Sequence, residues 1–124
     1  MTIREELDEL NEGFARDLAK QDVEGLIARY TDDAQFLLPG QPILRGREAV
    51  ESTMRAWVEG GPVSLRFETR DIIADGSLVI DIGEIIGSTG PRSKYVVVYR
   101  RLNNGSLRIA VDAASSVSEQ PTAE

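Results

Sequence analysis

The sequence contains no cysteine and no histidine. Without thiols there can be no disulfide, no thiolate nucleophile and no cysteine metal cluster. Without imidazole there is no serine–histidine catalysis, no histidine general base and no histidine-ligated metal. Long apolar runs are missing as well. Nothing approaches the roughly 20 residues that a membrane helix needs, and the charged opening MTIREELDEL lacks the apolar core of a secretion signal. The expected location is the cytoplasm. Positive charge is in deficit, with 14 Lys and Arg against 21 Asp and Glu, for a net charge of −7. A surface of that sign repels phosphate backbones and anionic lipid heads, so neither nucleic acid nor a membrane is expected as a partner. Proton transfer is left to carboxylates, tyrosines, Lys and Arg.

What is present suits one domain with one core. There are 124 residues, of which 41% are hydrophobic and 28% charged. The domain is expected over residues 1–117, with the polar SEQPTAE of 118–124 as a frayed tail. Ile3, Leu7, Leu10, Phe14 and Leu18 recur at helical spacing. Asp22 reads as the N-cap of a short second helix that carries Val23, Leu26, Ile27 and Tyr30. Asp32 and Asp33 read as turn residues that end it, ahead of a short strand Gln35–Leu38 closed by Pro39-Gly40. A third helix is predicted from about Arg47 to Glu59, with Val50, Met54, Trp57 and Val58 on one face and Gly60-Gly61 as its stop.

The remainder reads as strands near 63–73, 77–88, 93–102 and 106–117. They are separated by Asp75-Gly76, Thr89-Gly90-Pro91 and Asn103-Asn104-Gly105, which are hairpin signals. Helices followed by a meander of antiparallel strands argue for an α+β fold.

The order of elements and the segments YTDDAQFLLPG, LRGREAV, KYVVVYRR and LRIAVDAASS resemble the nuclear transport factor 2-like superfamily, which includes ketosteroid isomerase and the SnoaL-like polyketide cyclases. The resemblance covers almost the whole chain. It implies a cone: a curved, mainly antiparallel (mixed) sheet wrapped around three N-terminal helices, with an apolar pocket at its mouth. It also implies where the isomerase groups should fall, namely the base near Leu38, the oxyanion tyrosine at Phe14 and the protonated aspartate near Val97 or Val98. None of these three side chains can donate to an enolate or take a proton, so steroid isomerisation is not expected.

Two polar positions match pocket positions of the superfamily. Tyr30 matches a supporting tyrosine, and Asp112 lies on the last strand, with Ala110 and Ala114 on its face. By the resemblance that face lines the cone. By strand alternation alone, Leu107, Ile109 and Val111 could instead face the core and leave Asp112 in solvent. The expected pocket is therefore Asp112 and Tyr30 as the catalytic pair, lined by Phe14, Leu38, Met54, Trp57, Val98, Ala110 and Ala114. Burial would disfavour the charged form of Asp112 and suit it to a base near neutral pH.

Other residues have simpler readings. Arg47 and Glu48 open a helix and pair charges there, while Arg66 and Glu68 form an ion pair on one strand face. Tyr95 and Tyr99 are expected on a dimer surface, because tyrosine is enriched at interfaces.

These residues lead to a cofactor-independent acid–base enzyme of cyclase, isomerase or lyase type, acting on an apolar oxygenated metabolite such as a polyketide. It would form a homodimer through its sheet face. The alternative is a non-catalytic module that binds a small apolar molecule or mainly assembles as a dimer. A weaker alternative, an epoxide hydrolase using Asp81 and Asp112, lacks an arginine beside Asp81.

Overall fold

The first helix starts where its capping chemistry is complete. In the computed structural model, which describes residues 1–87 and 90–116, α1 runs over Ile3–Lys20. The Thr2 hydroxyl accepts from the Glu5 N–H at 3.1 Å, and the Glu5 carboxylate accepts from the Thr2 N–H at 2.8 Å. Leu7, Phe14 and Leu18 form its buried stripe. The Asp22 carboxylate caps the five-residue α2 (Val23–Ile27) by accepting from the Gly25 N–H at 3.0 Å. The third helix, α3, spans Arg47–Glu59, the range its sequence predicts, and buries Val50, Thr53, Met54 and Val58.

Six strands follow or interleave: β1 (Tyr30–Leu37), β2 (Leu44–Arg45), β3 (Arg66–Asp75), β4 (Leu78–Gly87), β5 (Gly90–Arg101) and β6 (Leu107–Ser116). They form one open sheet in the order β2-β1-β6-β5-β4-β3. The β1–β6 pair is parallel and every other pair antiparallel, so the sheet is mixed. Its inner face packs on the helices through a core that includes Leu7, Leu26, Phe36, Met54, Val79 and Ile109. Among the described residues, no helix is long and apolar enough to cross a membrane.

The sequence reading and the structure part company in β1. Asp32 and Asp33 are strand residues, not a turn: they lie in an irregular stretch of β1 that parallel pairing with β6 brackets, at Tyr30 and again from Gln35. Both face out and find charge partners. Asp32 bonds Arg47 at 2.9 Å, and Asp33 lies 3.9 Å from Arg100. The two-residue β2 carries too short a pattern to be read in advance. The expected boundary at 117, the tail 118–124 and Thr89 of the expected third turn lie outside the described residues.

Three antiparallel pairings slip by one residue: near Arg70 in β3, at Arg92 in β5 and at Ala110 in β6. Such bulges add twist and bend to a strand and change which face its side chains meet.

Candidate functional site

Helices α1 and α3 and the inner face of the sheet enclose a cavity of about 340 Å³. Its walls are mainly apolar: Phe14 and Leu18 from α1, Trp57 from α3, Leu38 beyond β1, and Phe67, Val97 and Ile109 from the sheet. The chain has few aromatics, but they gather here. The ring of Phe14 meets Phe67 at 5.3 Å, Tyr30 at 6.3 Å and Trp57 at 6.4 Å, each edge-on. Edge-to-face contacts of this kind hold ring positions beyond what burial alone achieves.

Asp112 is the one acid in the cavity lining among the described residues, and it is 8% exposed. The Tyr30 hydroxyl donates to its Oδ2 at 2.7 Å. Burial pushes the Asp112 carboxyl up to about 6, and the Tyr30 hydrogen bond offsets part of that rise by favouring the anion. Tyr30 is itself held well above the usual phenol range, first by burial and then by the nearby Asp112 charge, so it remains a proton donor. Tyr30 does not line the cavity. It stands behind Asp112 and fixes one carboxylate oxygen, leaving the other to meet a ligand. A carboxyl that titrates near 6 against an apolar wall can take a proton from a bound molecule and return it.

The bulge at Ala110 decides how Asp112 reaches this position. Val98 pairs with Val111 and Tyr99 with Ile109, so Ala110 is the extra residue between them. Both Ile109 and Asp112 therefore face the cavity, which strict alternation would forbid. Phe14, Leu38, Trp57 and Ala114 are in the lining as well.

Three expected lining residues are elsewhere. Ala110 is buried within the bulge and outside the lining. Met54 is fully buried on the α3 stripe with Val50 and Val58, which packs that helix onto the core. Val98 alternates with the inward Val97 and Tyr99, so it takes the outer face. The expectation for Tyr95 and Tyr99 is also corrected. Each is only 5% exposed, and both line the cavity in place of any outer dimer surface. On β5 it is Val96, 40% exposed, that faces outward.

A second polar group, considered from the sequence only for the epoxide hydrolase alternative, stands behind the cavity wall. Asp81 on β4 has no exposed surface, and the Tyr95 hydroxyl donates to its Oδ2 at 3.1 Å. Beside it the Asn11 amide donates to the Thr69 hydroxyl at 3.0 Å. The Oδ1 of Asp81 has no hydrogen-bond partner among the described residues. Burial raises the Asp81 carboxyl, and the surrounding Thr69, Tyr95 and Asn11 side chains temper the rise. Val97 pairs with Asp81 on one side and Asp112 on the other, so the two acids flank it on successive strands. Ladder spacing sets their Cα atoms about 10 Å apart. Among the described residues, no arginine hydrogen-bonds either of them. Only the alternation of acid and apolar residues in VIDIG signals that Asp81 points inward.

Gly83 makes room for this cluster. A Cβ there would run into the Glu68 carbonyl oxygen and come within 2.6 Å of the Tyr95 hydroxyl.

Residues 11–110 match the family model described as the SnoaL-like domain. A comparison with curated protein sequences finds no match. Among solved structures, a ketosteroid isomerase-like protein from Erwinia carotovora atroseptica superposes with a TM-score of 0.73 at 20% identity, covering 90% of this chain and 94% of that one. A nuclear transport factor 2-like protein of unknown function from Pseudomonas putida gives 0.71 at 20% identity, with 93% and 88% covered. A protein of unknown function with a cystatin-like fold from Nostoc punctiforme gives 0.67 at 18% identity, with 95% and 93% covered. Identities this low speak to the fold alone.

Proposed function

The chain belongs to the SnoaL-like domain family of the nuclear transport factor 2-like superfamily, whose cone is commonly a small-molecule site, and on that premise we propose that it is a cofactor-independent acid–base enzyme. Its substrate would be a small, largely apolar oxygenated metabolite, of which a polyketide is one example. Asp112 acts as the general base and acid, and Tyr30 positions it. The observation that carries this reading is one buried carboxyl, titrating near 6 in an apolar cavity, with one oxygen held by a tyrosine and the other free for a ligand. A cavity of about 340 Å³ lies at the small end of ligand sites, which limits the substrate to a compact molecule.

The test uses a ketone with acidic α-protons, 2-tetralone, in deuterated buffer, with NMR following deuterium incorporation at C1. The wild-type protein should accelerate exchange, and Asp112→Asn should lose roughly a hundredfold or more of that acceleration. If Asp112→Asn exchanges as fast as the wild type, Asp112 is not the base.

A second reading, a non-catalytic binding module, draws on the apolar residues that stand where the isomerases keep their base and oxyanion donors: Leu38, Phe14, Val97 and Val98. It predicts saturable binding of 2-tetralone with no acceleration of exchange.

A further inference from the structure

The cavity carries a second charged group that the acid–base reading does not use. Arg92 lines it, and Arg92 is the single cation in the lining among the described residues. It reaches that place through a bulge. Ile85 pairs with Ser93 and Ile86 with Pro91, which leaves Arg92 as the extra residue of β5. Arg92 and Ser93 are adjacent in sequence, yet both line the cavity, and a regular strand would send one of them to the other face.

The partner strand is cut to fit. Gly87 on β4 lies under the Arg92 stem, and a Cβ there would overlap Cδ and approach Cγ to 2.9 Å. Among the described residues Arg92 forms no ion pair, as is also true of Arg4, Arg16, Arg45 and Arg108, but of these arginines Arg92 alone lines the cavity. The guanidinium is exposed at the rim, whereas Asp112 is buried at the level of Val97. Val97 lies four steps along β5 from Ser93, about 13 Å at strand rise. The cavity therefore has a cationic rim, an apolar middle and an acid at its inner end.

We propose that Arg92 is the specificity-determining residue of this cavity, and that the ligand is a compact monocarboxylate whose anion sits on Arg92 while its neutral, oxygenated end reaches Asp112. The proposal rests on the cavity being the ligand site, as above. A guanidinium holds a carboxylate through two parallel hydrogen bonds, which an amide of the same shape cannot reproduce. A ligand with its charge at the inner end would meet Asp112 and be repelled. The polarity of the cavity thus fixes the direction of entry.

The experiment compares 3-cyclohexylpropanoate with its neutral isostere 3-cyclohexylpropanamide at pH 7. Trp57, the only tryptophan and part of the lining, reports binding by fluorescence, and calorimetry checks it. Wild-type protein should prefer the carboxylate by about fivefold or more, discounted for the exposure of Arg92. Arg92→Gln should abolish the preference, with carboxylate affinity falling by more than amide affinity. Gly87→Ala keeps every charge but pushes the Arg92 stem aside, and it should reduce the preference as well. Circular dichroism would establish that both variants keep the wild-type fold. Equal binding of acid and amide by the wild type overturns the Arg92 assignment while leaving a ligand cavity. A preference that survives in Arg92→Gln overturns it too. No binding of either molecule overturns both the assignment and the cavity reading beneath it.

Discussion

Asp112→Asn should make the protein more stable at neutral pH while removing its acid–base group. In the fold the carboxyl is pushed from 3.8 to about 6, chiefly by burial. The neutral form is thus the one the folded state favours. Below the unfolded value near 4 the group is protonated in both states and costs nothing. As pH rises through about 6 the folded protein must hold an anion that the unfolded chain holds more easily, and the cost becomes complete. Two pH units correspond to about 3 kcal/mol. Asparagine has nearly the same shape and can still accept from Tyr30, so most of that cost should be relieved. Loss of the charge-assisted character of the Tyr30 bond takes back some of the gain. The expected net effect is a variant more stable than wild type by about 1–3 kcal/mol at pH 7.5, with the gap closing towards pH 4. Urea unfolding at a series of pH values measures it, with Trp57 fluorescence as the signal. A gap that does not change with pH, or a variant less stable throughout, would refute the reasoning, because either result means that burial does not penalise the Asp112 anion.

Two further substitutions test the surroundings of this group. Tyr30→Phe removes the donor that favours the Asp112 anion, so the Asp112 titration seen by carbon NMR of its carboxyl should move up from about 6 by on the order of one unit; an unmoved or lowered midpoint would show that Tyr30 does not tune it. Gly83→Ala places a methyl against the Glu68 carbonyl and the Tyr95 hydroxyl, and it should cost about 1–3 kcal/mol in urea unfolding. Wild-type stability in that variant would mean that β3 and Tyr95 can draw back from β4 at little cost.

Most of the fold is legible because its signals are local. The limits of α3, the Asp22 cap and the turns at Asp75-Gly76 and Asn103-Asn104-Gly105 depend on residues within a few positions of one another. The start of β1 is different. Asp32-Asp33 carries turn chemistry, and what draws it into the strand is parallel pairing with β6 on either side of it, at Tyr30 and Gln35, about eighty residues away. A long-range partner of that kind leaves no mark on the local sequence, and tertiary pairing overrides the local preference.

The site was less legible for a related reason. Reading a strand by alternation assumes that every residue has one partner, and single unpaired residues at Arg92 and Ala110 break that assumption. The second break turns Ile109 and Asp112 to the same side, and the first sends Arg92 to the rim beside Ser93. The tyrosines of β5 face inward together by plain alternation with Val97; alternation puts them on one face but does not say which face is the inner one, and tyrosine's enrichment at interfaces points to the wrong one.

Charge placement adds the argument that sequence could not supply. Arginines pair with carboxylates at the surface and on the flanks of the fold, as at Arg55–Glu51, Arg70–Glu84 and Arg101–Glu6. Among the described residues no arginine bonds the buried Asp112 or Asp81: Tyr30 donates to Asp112, Tyr95 donates to Asp81, and for Asp81 the nearby Thr69 and Asn11 side chains and the more distant charge of Arg4 add support. A buried carboxylate held for architecture alone would be expected to have a cation beside it, because burial without one is destabilising. Here burial raises both carboxyls, and Asp112 faces an apolar cavity across which the only cation in the described lining is Arg92. An ion pair therefore does not explain Asp112, and a ligand whose anion sits on Arg92 and whose neutral end hydrogen-bonds Asp112 would give both groups the partners that the described fold does not.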